Sequence, residues 1–176
     1  MKLFHLLPVG LSYLVASCAF DDFHNKSAGS IKGPHKTVQV KTTAYTHSEP
    51  GHRRYGRNNA VGTRLAVGGC NSAAADWSRF PLGTKFKIVG QNQLYVVDDY
   101  GSALVGKNTI DLYMPTRGMM KRWGSRDVMI ELLELGSYKE SLKILRPRCR
   151  AAYVRRMVTI LQSRSGQPPA GGGRLF

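Results

Sequence analysis

From residue 37 to residue 134 the chain is cut into short β-branched runs, each closed by a turn signal, which favours a small sheet or barrel over a helical fold. Residues 37–45 (TVQVKTTAY) partly alternate and read as a strand. So do 85–89 (KFKIV), 94–99 (LYVVDD), 109–113 (TIDLY) and 128–134 (VMIELLE). Residues 90–93 carry a hairpin signal, and Pro81, Leu82, Gly83 and Thr84 make a turn ahead of 85–89. Residues 47–69 hold five glycines and several arginines. That is the composition of a long binding loop, with one short strand expected at 63–67. A short helix is expected over 115–123, near Thr116. Short strands with one small helix predict a compact, mainly β barrel.

The flanks differ from this middle. Met1 and Lys2 precede a largely apolar stretch over 3–15, then Ala16, Ser17 and Cys18, so 1–17 is expected to be a secretory signal peptide. Small residues before Cys18 resemble the lipobox of bacterial lipoproteins, in which that cysteine carries the lipid. Ala19 follows it in place of aspartate, which by the same resemblance implies an outer-membrane anchor facing the periplasm. Residues 18–36 are polar and read as a flexible tether. After the barrel, 136–162 is expected to be a basic helical extension, with amphipathic stretches at 138–145 and 151–162 on either side of Pro147. Its apolar stripes are expected to pack on the barrel in preference to a membrane surface. Residues 163–176 have the composition of a disordered tail.

Among 176 residues there are 26 Lys and Arg against 11 Asp and Glu, a formal net charge of +15. That balance suits an anionic partner. No zinc-finger spacing, RNA-recognition motif or basic-region heptad is present, so nucleic acid is not the expected partner. The histidines show no metal-ligand pattern, and there is neither a phosphate loop nor a Gly-x-Ser-x-Gly motif, so neither metal nor cofactor is expected. Cys70 and Cys149 are a possible disulfide in an exported chain.

In a chain so poor in acids, Asp98, Asp99 and Asp111 stand close together, with Asp76 upstream. Strict alternation sends Asp98 and Asp99 to opposite faces, so only one of them is expected to share a face with Asp111. A carboxyl in apolar surroundings near another carboxylate keeps its proton to higher pH, as a general acid toward a sugar oxygen must. The other reading has these aspartates capping turns or pairing with Arg117 or Arg126. Trp77 and Tyr55 are candidates to stack on sugar rings, Trp77 equally a candidate for the core. Lys85 is a candidate groove residue or a plain strand lysine.

Asp99-Tyr100-Gly101-Ser102-Ala103-Leu104-Val105-Gly106 followed by Ile110-Asp111-Leu112-Tyr113 resembles the three-aspartate (3D) domain. Thr43-Ala44-Tyr45, Asp76 ahead of Pro81, and Trp123-Gly124 support the resemblance over about residues 38–134. That domain is similar to the catalytic barrel of membrane-bound lytic transglycosylase A and other muralytic proteins. More loosely, it is similar to expansins, which bind wall polymers without cleaving them. The resemblance implies a six-stranded double-psi β-barrel over 37–135. It also implies a lytic transglycosylase acting on peptidoglycan glycan strands, with a non-catalytic, expansin-like binding lipoprotein as the alternative. It assigns the acid/base role to Asp111, with Asp99 tuning it and Asp76 supporting the groove. Thr43, Tyr45, Gly101 and, least securely, Asp98 are expected to bind substrate. Asp99 and Asp111 are twelve residues apart, one more than in many relatives, and the extra residue is expected in the turn at 106–109.

Overall fold

The computed structural model describes residues 29–30 and 36–165. The expected signal peptide with Cys18, most of the tether and residues 166–176 lie outside the described residues. Period-2 burial marks the strands. β1 (Gly29–Ser30) precedes β2 (Lys36–Tyr45), which buries Val38, Val40 and Thr42 and turns Gln39, Lys41 and Thr43 the other way. The same rhythm runs through β4 (Lys85–Ile88), β5 (Leu94–Asp99) and β6 (Thr109–Tyr113). β3 (Cys70–Ala75) and β7 (Arg126–Leu135) complete the set.

β2 runs parallel to β6 and antiparallel to β7, and β3 runs parallel to β5 and antiparallel to β6. β4 pairs antiparallel with both β5 and β7, and the second pairing closes the ring. β2–β7 therefore form a closed six-stranded mixed barrel of the double-psi type, which leaves no free edge within the ring. β1, two residues of the expected tether, adds to β7 at Gly29↔Leu135.

Phe86, Val97, Ile110, Leu112 and Ile130 fill the interior. The helices are α1 (Arg117–Trp123), α2 (Tyr138–Leu145) and α3 (Ala152–Ser165). Thr116 caps α1 by accepting from the Met119 amide, and Ser137 caps α2 by accepting from the Glu140 amide. Leu142 and Leu145 of α2 and Val154, Met157 and Leu161 of α3 join the same apolar cluster as the barrel interior. The extension is thus packed on the barrel, as expected. Among the described residues no helix is long and apolar enough to cross a membrane.

Two expectations are corrected. Residues 63–67 form no strand, only a bridge between Asn58 and Arg64; the sixth barrel strand is Cys70–Ala75. Its composition (CNSAAA) has no β-branched or aromatic residue, so it carries no propensity signal and is held by pairing on both sides. Cys70 and Cys149 are free thiols, not a disulfide. Cys70 opens β3, whereas Cys149 follows α2 and packs against the main core.

Where β7 hands over to α2 the backbone passes directly over the Pro81–Thr84 turn. Gly136 donates to Thr84 Oγ1 at 3.1 Å, Ser137 donates to the Leu82 carbonyl at 2.9 Å, and Leu82 donates to Ser141 Oγ at 2.8 Å. A Cβ at position 136 would run into the carbonyl oxygens of Leu82 and Pro81 and the Thr84 amide nitrogen, all backbone atoms that cannot swing aside. Gly136→Ala is expected to destabilise the fold by about 2–3 kcal/mol, as overpacking does. A guanidinium melt should show the midpoint falling with an unchanged slope.

Candidate active site

One irregularity arranges the acids. In the β3–β5 ladder Ala73 pairs with Val97, but Ala74 pairs with Asp99, so Asp98 is an extra, unpaired residue. Such a bulge locally breaks the alternation of faces. Ala73 and Val97 both belong to the interior cluster, while Ala74 belongs to a separate outer cluster with Tyr45, Leu65, Leu104 and Tyr113. Past the bulge, Asp99 therefore shares the outer face with Ala74. Asp111 pairs with Ala74 on its other side and with Thr43 beyond. The row across four strands reads Asp99, Ala74, Asp111, Thr43. The two aspartate Cα atoms stand two strand spacings apart, roughly 9–10 Å, with only a methyl group between them. Asp98 bonds to Ser72, two residues from Ala74 on the same face, so both adjacent aspartates reach the face of Asp111. Strict alternation allowed only one of them there, and the bulge overrides it.

Each acid has its own donors. Thr43 Oγ1 donates to Asp111 Oδ1 at 2.7 Å, and the Tyr45 hydroxyl donates to Asp99 Oδ2 at 3.1 Å. The Tyr100 amide donates to Asp99 Oδ1 at 2.9 Å, and the Ala60 amide bonds the same carboxylate. Ser72 Oγ and Asn59 Nδ2 donate to Asp98 Oδ2 at 2.6 and 2.9 Å. Among the described residues none of the three makes an ion pair. Arg117 instead donates to the Ser48 carbonyl, and Arg126 lies over Trp123. Burial comes first among the causes and pushes all three carboxyls up to about 6, against the hydrogen bonds that favour the charged form. At Asp111 the nearby carboxylates of Glu49 and Asp99 push the same way. Burial and the three aspartates also hold the Tyr45 hydroxyl well above its ordinary value, so it remains a donor.

The long loop after β2 walls this face. Asn59 accepts from the Val61 and Thr63 amides while donating to Asp98, which ties the loop to β5. Tyr113 contacts His47 at 2.8 Å through Nδ1, and Arg57 donates to His47 Nε2. Because Nε2 accepts, the neutral ring carries its proton on Nδ1 and donates to Tyr113. Tyr55 is 52% exposed beside His52 and under Arg54, free to meet a ligand, whereas Trp77 is wholly buried and donates to the Asp99 carbonyl.

Asp76 lies away from solvent. Its Oδ1 accepts from the Ser78 amide and hydroxyl and its Oδ2 from the Gly106 amide, so it fastens β3 to the segment between β5 and β6 without any surface to offer a ligand. Gly101 is half-buried near Leu104. Lys85 is engaged by Glu134 at 2.8 Å. The sequence did not single out Glu49, Asn59, Ser72 or Arg148 as neighbours of the acids. All but Ser72 come from loops or turns distant in sequence, and none carries a motif. No group of His, Cys, Asp and Glu able to hold a metal occurs among the described residues.

A closed double-psi barrel with an acidic cluster on its outer face defines the class of protein. Residues 71–134 match the family described as the 3D domain, so the chain carries a 3D domain over those residues. It is also similar to YabE of Bacillus subtilis (strain 168), named as a cell wall shaping protein, at 34% identity over 101 residues. That alignment covers 56% of this chain and 23% of YabE, so the chain spans about a quarter of that relative's length.

A raised carboxyl costs stability once it must ionise. Asp111 holds its proton up to about 6 when folded, against 3.8 in the ordinary state. The folded chain therefore binds more protons between those values, and stability falls as pH rises from about 4 to 6. Asp111→Asn keeps an acceptor for Thr43 and removes the charge. The variant is expected to be more stable than the parent at pH 7.5, by about 1–3 kcal/mol, with the difference vanishing at pH 4. Thermal melts at the two pH values check this.

Proposed function

We propose that this 3D-domain protein acts on the bacterial cell wall as a peptidoglycan lytic transglycosylase. The observation that carries the reading is Asp111: a largely buried carboxyl, hydrogen-bonded by Thr43, in no ion pair among the described residues and protonated up to about 6. The name of the Bacillus relative supports the wall as the site of action. Asp111 donates its proton to the glycosidic oxygen as the bond from C1 of N-acetylmuramic acid to N-acetylglucosamine breaks. The carboxylate so formed takes the proton of the muramic C6 hydroxyl, whose oxygen bonds to C1. The products are a 1,6-anhydro ring and a free N-acetylglucosamine end. No water is consumed, and Asp111 ends as it began. One acid thus serves both halves of the reaction, where hydrolysis commonly divides the work between two.

Asp99 acts through Asp111, raising it by repulsion when charged. Thr43 and Tyr45 orient the two acids and border the sugar, and Asp98 and Gly101 complete the surface that meets it. Asp76 acts from beneath, by holding the 100–108 segment. The lipid anchor at Cys18 keeps the enzyme in the cell envelope, at the outer membrane facing the periplasm.

Digestion of purified sacculi by the purified chain, read by mass spectrometry, tests the reaction. The parent is expected to release 1,6-anhydro muropeptides, with a rate that declines as pH rises through about 6, where Asp111 loses its proton. Asp111→Asn should lose activity about 10²–10⁴-fold while still sedimenting with sacculi. Sedimentation without any anhydro product from the parent would overturn the enzyme and leave an expansin-like binding module.

A further inference from the structure

The helical extension lies beyond the matched 3D region, yet it reaches the acids through one side chain. Arg148 ends the short helical turn after α2, Arg146–Arg148. Its Nη1 donates to the Ala60 carbonyl at 2.8 Å and to the Tyr100 hydroxyl at 3.3 Å. Ala60 and Tyr100 are the two residues whose main-chain amides bond the Asp99 carboxylate. One belongs to the loop after β2 and the other follows β5, and Arg148 bridges them from the side of the extension. The extension touches the same segment twice more. Tyr153 of α3 packs against the Tyr100 ring at 6.4 Å between centroids, and the Arg156 guanidinium lies against Gly106.

We propose that Arg148 is a positioning residue for the acidic site: it holds Ala60 and Tyr100 so that both amides point at Asp99, which makes the extension part of the site. Asp99 is then fixed from four directions. Trp77 grips its carbonyl, Tyr45 one carboxylate oxygen, and the two amides the rest. The charged and titratable groups facing it are Asp98 on its own strand, Tyr45 from β2, Asp111 from β6 and Arg148 from the extension. Arg148 is exposed, so screening weakens its charge and its geometry carries most of the effect. Loosening either amide removes a bond that favours the carboxylate, which raises the proton affinity of Asp99.

The inference uses the acid roles proposed above, but its test does not need activity. Carboxyl ¹³C shifts of the full chain, followed against pH, report the midpoint of Asp99 directly. Arg148→Ala is expected to raise that midpoint by about half a unit or more, with melting behaviour close to that of the parent. Arg148→Lys, which keeps a donor and the charge at an exposed site, should recover at least part of the shift. Asp99 titrating alike in parent and both variants would overturn the proposal. On sacculi, the pH profile of Arg148→Ala should move with the Asp99 midpoint. A shifted midpoint in a chain that releases no anhydro product would leave Arg148 in its role and end the transglycosylase reading alone.

Discussion

The acidic face depends on a single unpaired residue. With an unbroken ladder, Ala74 would face Asp98, and Asp99 would follow Val97 into the apolar interior. A carboxylate there, among Phe86, Ile110 and Leu112, would be prohibitively costly to ionise. The extra residue at the bulge lets the interior pattern run up to Val97 and then turns Asp99 out toward Ala74. A one-residue change of register flips every later side chain to the other face. Here that property, at the end of β5, gathers three acids. Ala74 matters for the same reason, because a larger side chain in that position would stand between Asp99 and Asp111.

The outer surface is strongly basic, yet the acids hold their protons. Net charge of +15 ought to favour carboxylates, and Arg148 does act that way on Asp99. Burial outweighs it because the two effects differ in range. Desolvation acts on the group itself, while exposed arginines are screened beyond about 8 Å at physiological ionic strength. The donors around the acids work against burial, and all three carboxyls still rise to about 6. Asp99 accepts from two amides and a tyrosine, Asp98 from a serine and an asparagine, and Asp111 from one threonine. Asp111 accepts from the fewest donors, and the carboxylates of Glu49 and Asp99 both push it up, which suits the proton-carrying role proposed for it.

The parts of the fold written as alternation were legible in the sequence. β2, β4, β5, β6 and β7 each carry enough Val, Ile, Thr or aromatic residues at period two to be seen, and Thr116 announced α1. β3 was not legible. Six residues of Cys, Asn, Ser and Ala have no strand preference, and only the neighbours on both sides make them one. The acids could be found by composition, since eleven in such a chain are few. Their relative placement could not, because a bulge is a property of the ladder and not of either strand alone. Asn59 and Arg148 were hidden for a related reason: each acts on residues at least 39 positions away, across a loop or a turn.

The domain as matched by sequence is smaller than the unit that folds around the acids. Residues 71–134 supply β3 to β7, but the ring needs β2, which pairs with β6 and β7 and carries Thr43 and Tyr45. Without β2, Asp111 would lose its one donor and Asp99 its tyrosine. The C-terminal side shows the same dependence. A barrel this small buries little, and small domains are marginal. Leu145, Val154, Met157 and Leu161, all essentially buried, extend its core, while Arg148 and Tyr153 from the same segment reach Tyr100 beside Asp99. A single helical hairpin therefore enlarges the core and braces the acidic face. A substitution that unseats α3 would be felt at Asp99 as well as in the melting curve.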